Sequence, residues 1–358
     1  MTAHTKRIEY IDAMRGFTML LVVITHITGF GYRLSDQDFI DICSPNIIFS
    51  LFRMPLFFFI SGYILYKKDY VWSLANAFDF LTKKFRIQII STIIWILLFG
   101  ILFGFAIEHW FAQFKLGYWF TTTLFTFFVC YTAIKVFCYI FSPNNIAENI
   151  LLISAALIGV IISPIALFHH FGLDIRIWEY ADLKQLQFLQ FFIFGIFCKK
   201  YNLQFLNIIR NNYMRAIIII AFTMASIILY YFDLYENQVY FHIIRYFCGY
   251  IGILLLFSLF HKYQYTFTNC HMIGKTLQFI GRRTLDIYFI HYFLLPRNLD
   301  VIGNFFRNHP NPIIEFTLTL CLSLLVVGEA IIISQIIRLS PFLTYWLLGG
   351  KHMSACNK

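Results

Sequence analysis

The chain has 358 residues, of which 59% are hydrophobic and 13% charged, and its formal net charge is +10. A soluble domain carries about 25% charged residues, so this composition excludes an ordinary soluble protein and describes an integral membrane one. The positive balance then belongs to membrane topology, because Lys and Arg collect in cytoplasmic loops; nucleic acid is not an expected partner.

Aromatic residues reach 20%, including 44 Phe, as suits lipid-facing packing and interfacial belts. The cysteines Cys43, Cys130, Cys138, Cys198, Cys248, Cys270, Cys321 and Cys356 are scattered. None falls in a CxxC pair or a zinc spacing, so neither a disulfide framework nor a metal site is expected. The pair His169-His170 adjoins Phe168 and Phe171 and reads as surface loop.

The first apolar run follows Lys6 and Arg7 and lacks a small-residue cleavage site, so it reads as an uncleaved span. It also carries an ionisable stripe. Arg15 and His26 are eleven residues apart and fall within about 20° of each other on a helix; Asp12 lies about 40° from His26. Ionisable groups inside an apolar span cost about 2.5–3.5 kcal/mol each and usually line polar cavities. Snorkelling at the helix start accounts for Asp12 and Arg15. It does not account for a His about three turns deeper on the same face.

Apolar runs long enough to cross a bilayer of about 30 Å recur at about ten places. They lie near 13–33, 46–66, 87–107, 118–141, 149–168, 183–201, 216–233, 240–260, 276–296 and 313–338. The expected fold is all-α: one polytopic transmembrane domain over 1–348 and a short polar tail, 349–358. With ten spans and the N-terminus inside, the cytoplasmic side receives Lys67, Lys68, Lys83, Lys84, Arg86, Lys199, Lys200, Arg210, Arg215, Lys262, Lys275, Arg282 and Arg283. The outer side receives far fewer, among them Arg33, Lys115, Arg297 and Arg307. Both termini are therefore expected in the cytoplasm, with the protein in the cytoplasmic membrane.

At 1.5 Å per residue, His26 lies about 10 Å from the outer end of its span, Arg53 at a similar depth and His291 about 8 Å deep. Arg245 comes at about the same level. These groups define an expected polar chamber, although Arg245 can also be read as snorkelling and His291 as a packed core histidine. The cluster Lys83-Lys84-Phe85-Arg86 precedes the third span. It reads either as an orientation or anionic-lipid signal or as a dock for the phosphates of a soluble donor.

Four stretches together resemble the acyltransferase 3 family of bacterial membrane O-acyltransferases. They are Arg7-Ile8-Glu9-Tyr10-Ile11-Asp12-Ala13-Met14-Arg15-Gly16 with His26, and Phe52-Arg53-Met54-Pro55-Leu56-Phe57-Phe58-Phe59-Ile60-Ser61-Gly62-Tyr63. Gly281-Arg282-Arg283-Thr284-Leu285-Asp286-Ile287-Tyr288-Phe289-Ile290-His291 is the third, and Trp119-Phe120 is a weaker fourth. The resemblance implies transfer of an acyl group, in the first instance acetyl, from cytoplasmic acyl-CoA to a hydroxyl of a cell-surface or envelope glycan, or of a lipid-linked saccharide. It also implies donor handling by an Arg-x-x-Arg pair, where this chain has Lys83 and Arg86. Lysine keeps the charge but loses the bidentate fork. No appended soluble domain fits in the tail after Leu348.

The residues themselves supply roles. An alcohol needs a general base, and His26 is the candidate; Arg53 can stabilise the developing oxyanion or orient the acceptor. Arg15, fixed by Asp12, would hold the donor's path, with His291 and Arg245 lining the chamber. A transporter or flippase for a glycan or anionic solute is the competing reading, since intramembrane Arg and His also bind substrate charge. Against it, no matched pair of Gly/Pro-broken spans is visible.

Overall fold

The computed structural model describes residues 8–110, 114–141, 144–167, 183–231 and 238–350; the pair His169-His170 and residues 351–358 of the tail lie outside them. The described residues form helices and loops, without strands. In chain order the helices are α1 (Glu9–His26), α2 (Asp36–Asp41), α3 (Asn46–Leu65), α4 (Leu74–Phe85), α5 (Ser91–Phe103), α6 (Ile107–Trp110), α7 (Trp119–Phe141) and α8 (Asn145–Leu167). They continue with α9 (Leu189–Lys200), α10 (Asn202–Arg210), α11 (Asn212–Tyr231), α12 (Gln238–Lys262), α13 (Met272–Gly281), α14 (Thr284–Leu294), α15 (Asp300–Asn308), α16 (Pro312–Arg338) and α17 (Pro341–Leu347). Among the described residues, seven helices are long and apolar enough to cross a membrane, or eight if the bent pair of α10 and α11 counts as one span. The chain is a multi-pass membrane protein.

Where this differs from ten, the chain breaks. The run 183–201 opens with a 3₁₀ segment, Leu183–Phe188, before α9. At Asn211 the chain bends by 78° between α10 and α11. The expected span 276–296 is two short helices, α13 and α14, separated at Arg282-Arg283. The side chain of Arg282 donates from Nε to the Gln278 carbonyl at 3.1 Å, the same oxygen that accepts the Arg282 backbone N–H at 3.0 Å. Arg283 stacks its guanidinium on the Phe279 ring at 3.9 Å. These arginines end one helix where hydropathy alone reads a continuous span.

The chain divides into two compact units: residues 1–60 with 201–332, and residues 61–200 with 333–358. In the first, α1 and α13 cross at two glycines. A Cβ on Gly16 would overlap the Leu277 carbonyl, and one on Gly281 would overlap the Asp12 carbonyl. Small residues let helix backbones approach this closely in a membrane. Away from the crossing, Tyr10, Phe59, Phe205 and Phe257 pack edge to face. Glu315, wholly buried at the start of α16, accepts from Ser44 Oγ at 2.8 Å, Thr319 Oγ1 at 3.2 Å and Asn46 Nδ2 at 3.3 Å. Outside the spans, Arg307 on α15 bonds Asp38 on α2 at 2.8 Å. That hydrogen bond holds the Asp38 carboxyl down at about 2. The clip therefore contributes above the ordinary carboxylate range and is lost as pH falls towards 2.

The second unit is clipped by charge. Glu148 on α8 accepts from Lys135 on α7 at 2.7 Å and from Lys200 at the end of α9 at 3.0 Å. The Glu148 side chain is 8% exposed and Lys200 7%. Removing the carboxylate leaves two ammonium groups without their partner in a poorly hydrated place. Breaking a buried pair from one side costs about 3–5 kcal/mol. Glu148→Ala is expected to lower the thermal midpoint in detergent far more than a Glu148→Ala, Lys135→Met double variant does. Equal midpoints for the two would reduce the cluster to a surface pair. In the same unit, Trp95 Nε1 donates to the Leu347 carbonyl at 2.9 Å and Ser91 Oγ to the Trp346 carbonyl at 2.8 Å, fastening the segment around α17 to α5.

Candidate active site

The ionisable stripe of α1 lies in the first unit and resolves into an inner and an outer cluster. Acidic Glu9 and Asp12 occupy the first turn, where the helix dipole favours negative charge. Arg15 Nη1 lies 3.8 Å from Asp12 Oδ1, and its Nη2 donates to Thr284 Oγ1 at 2.9 Å. Thr284 is the first residue of α14. Arg15 thus ties α1 to the helix that carries His291.

Eleven residues further, about 16 Å along the axis, α1 ends at His26, and a π-helical turn, Ile27–Gly31, follows it. Such wide turns often occur at functional sites. Three elements converge here. Arg53 of α3 donates from Nη1 to Thr25 Oγ1, beside His26. Tyr292 Oη lies 3.1 Å from His26 Nε2. The ring of His291 is 5.3 Å from that of His26 and 4.2 Å from that of Tyr292. His26 is half-buried, whereas His291 is fully buried and Tyr292 4% exposed.

The hydrogen bonds fix one protonation site. His291 Nδ1 sits 2.9 Å from both the Ile287 and Tyr288 carbonyl oxygens. Carbonyls only accept, so Nδ1 carries the proton and the Nε2 of the neutral ring is a bare lone pair. That nitrogen is buried with no hydrogen-bond partner. A half-buried His, a fixed guanidinium, a phenol and an unpaired imidazole nitrogen form a site suited to moving a proton beside a developing negative charge.

The expected chamber thus gathers His26, Arg53 and His291. Arg245 is half-buried on α12. Lys83 and Arg86 belong to the second unit and differ in setting. Lys83 is exposed and pairs with Asp79 one turn away. Arg86 instead donates to the carbonyls of Tyr345 at 2.6 Å and Gly350 at 3.0 Å, and lies 3.9 Å from the Tyr345 ring centre. Thr25 and Tyr292 are not singled out by the sequence, and Thr284 figures there only as part of a family-like stretch, with no role. Tyr292 immediately follows His291, yet its contact with His26 joins residues 266 positions apart. No periodicity could announce it.

Residues 8–331 match the model of an acyltransferase domain, that of acyltransferase 3. The chain belongs to the acyltransferase 3 family. No curated protein and no solved structure matches it. The protein is accordingly a membrane acyltransferase. Its family segment contains both clusters of the α1 stripe, the Arg53 helix and all of α14. The segment around α17 that occupies Arg86 lies beyond that match.

Proposed function

We propose that this acyltransferase moves an acyl group, acetyl in the simplest case, from cytoplasmic acyl-CoA to a hydroxyl of a cell-surface or envelope glycan, with His26 as general base. The observation that carries the reading is the meeting of His26, Arg53, His291 and Tyr292 in one buried site of an acyltransferase domain. In the transfer step His26 takes the proton of the acceptor hydroxyl as its oxygen attacks the thioester carbonyl. A C–O bond forms, and Arg53 offsets the oxyanion charge. The C–S bond then breaks, and the imidazolium returns its proton to the departing thiolate. Asp12 holds Arg15, and Arg15 lines the donor's path at the inner end of the stripe.

The direct test supplies acetyl-CoA to the purified protein in nanodiscs and measures release of free thiol, with His26→Ala alongside. Thiol release by the parent and not by the variant supports transfer. No thioester consumption with any acceptor glycan supplied would return the protein to the transporter reading.

Lys83 and Arg86 are proposed to meet the donor's phosphates, which for Arg86 means competing with the carbonyls of Tyr345 and Gly350. Lys83→Ala with Arg86→Ala is expected to raise the KM for acyl-CoA several-fold, and salt should weaken donor binding to the parent. An unchanged KM would leave Arg86 as the anchor of the α17 segment and Lys83 as an orientation signal.

The proposed location is the cytoplasmic membrane with both termini inside. In a background without native cysteines, an impermeant thiol reagent applied outside should label a Cys at Asn308 and spare one at Asn211. The reverse pattern would invert the topology.

A further inference from the structure

We infer that Tyr292 is a positioning residue for His26: its hydroxyl occupies Nε2 and so makes Nδ1 the nitrogen that takes the proton of the acceptor hydroxyl. The inference rests on His26 being the general base, and it specifies which face of that base works. It starts from a hydrogen-bond count. A neutral imidazole has one N–H and one bare nitrogen, and only the bare one accepts a proton. Nε2 of His26 is engaged by Tyr292 Oη at 3.1 Å, so an acceptor hydroxyl cannot reach it. Nδ1 has no hydrogen-bond partner among the described residues, and the ring is only half-buried.

With Nε2–H donating to the phenolic oxygen, Nδ1 is bare and ready. When Nδ1 receives the acceptor's proton, the ring becomes an imidazolium whose Nε2–H stays on the same oxygen. The proton then leaves from Nδ1 to the departing thiolate. No ring flip is needed, and the phenol neither gains nor loses a proton over the cycle. Here Tyr292 takes the part that a third group takes in orienting a catalytic base.

The packing supports one ring orientation. Tyr292 lies 4.9 Å from the His26 ring centre and Phe30 5.6 Å from it. Tyr292 itself is held in α14, whose first residue, Thr284, bonds Arg15. A shift of α14 therefore moves the group that sets the tautomer. His291 precedes Tyr292 in that helix, and its ring is pinned by the two carbonyls one turn behind it.

Tyr292→Phe removes one oxygen and keeps the ring. Turnover is expected to fall by at least about tenfold, part of the 10²–10⁴ that a general base supplies. KM for acetyl-CoA and the thermal midpoint should stay near the parent's. The ¹⁵N spectrum of histidine-labelled protein in nanodiscs, with the His26 signals assigned by their absence in His26→Gln, reads the tautomer directly. The parent should show a protonated Nε2 and a bare Nδ1, and Tyr292→Phe a mixture. A parent His26 protonated at Nδ1 overturns the assignment, whatever the variant's yield, and so do unchanged tautomer populations in Tyr292→Phe. If His26→Gln stays active, the general-base reading fails separately, while the spectrum still decides how Tyr292 orients the ring.

Discussion

His26→Gln should reach the membrane in parent-like amounts, retain its affinity for acyl-CoA, and lose about 10²–10⁴ of its transfer rate. The size follows from the role. Glutamine approximates the volume of the imidazole and its amide N–H can still donate to the Tyr292 oxygen, so α1 and α14 keep their contact. What it cannot do is hold a proton near neutral pH, so the acceptor hydroxyl must attack without a base. A histidine that only packs would give the opposite pattern, with a lower midpoint and nearly normal turnover. Single-turnover measurements make the distinction sharper, because they isolate the chemical step from donor binding. A well-expressed His26→Gln protein within a few-fold of the parent would remove His26 from the chemistry. The bare Nε2 of His291, buried and without a partner, would then be the next nitrogen to test, through His291→Gln.

The α1 stripe was legible because helical periodicity alone aligns Asp12, Arg15 and His26, and because ionisable residues stand out against so apolar a run. Depth counting from span ends also brought Arg53 and His291 to the level of His26. It leaves Arg245 open, since equal depth says nothing about which way a helix faces. The two arginines at 282 and 283 were legible only as positive charge. Their work in ending α13 and letting α14 start afresh depends on where Gln278 and Phe279 lie, which no hydropathy window contains. Arg86 shows a similar limit. A basic cluster before a span reads equally as lipid contact or phosphate dock, and the carbonyls that hold it come from about 260 residues further along. Tyr292 was hidden for a different reason: in a chain with 22 Tyr, one more beside a histidine carries no signal until the fold places it against His26.

Gly16→Leu should abolish folding, and Gly16→Ala should lower both the thermal midpoint and the turnover. The argument is steric. At the crossing of α1 and α13, a Cβ on Gly16 would overlap the Leu277 carbonyl and approach the Gly281 nitrogen to 3.0 Å. Backbone atoms of a helix cannot rotate aside as a side chain can, so the two helices must part. Overpacking typically costs about 1–3 kcal/mol, and here it is added to the loss of close helix contact that holds membrane helices together. Parting α13 from α1 also displaces Thr284, three residues beyond Gly281. The Arg15 hydrogen bond at 2.9 Å and the placement of α14 against His26 move with it. Stability and chemistry are therefore linked at this crossing. Gly328→Ala is the control: nothing lies within 4 Å of a Cβ there, and alanine favours a helix over glycine by about 1 kcal/mol. Its midpoint should hold or rise with unchanged turnover. Indistinguishable midpoints for Gly16→Ala and Gly328→Ala would mean that the crossing is looser than the two glycines imply, and that α14 reaches His26 without being held by α1.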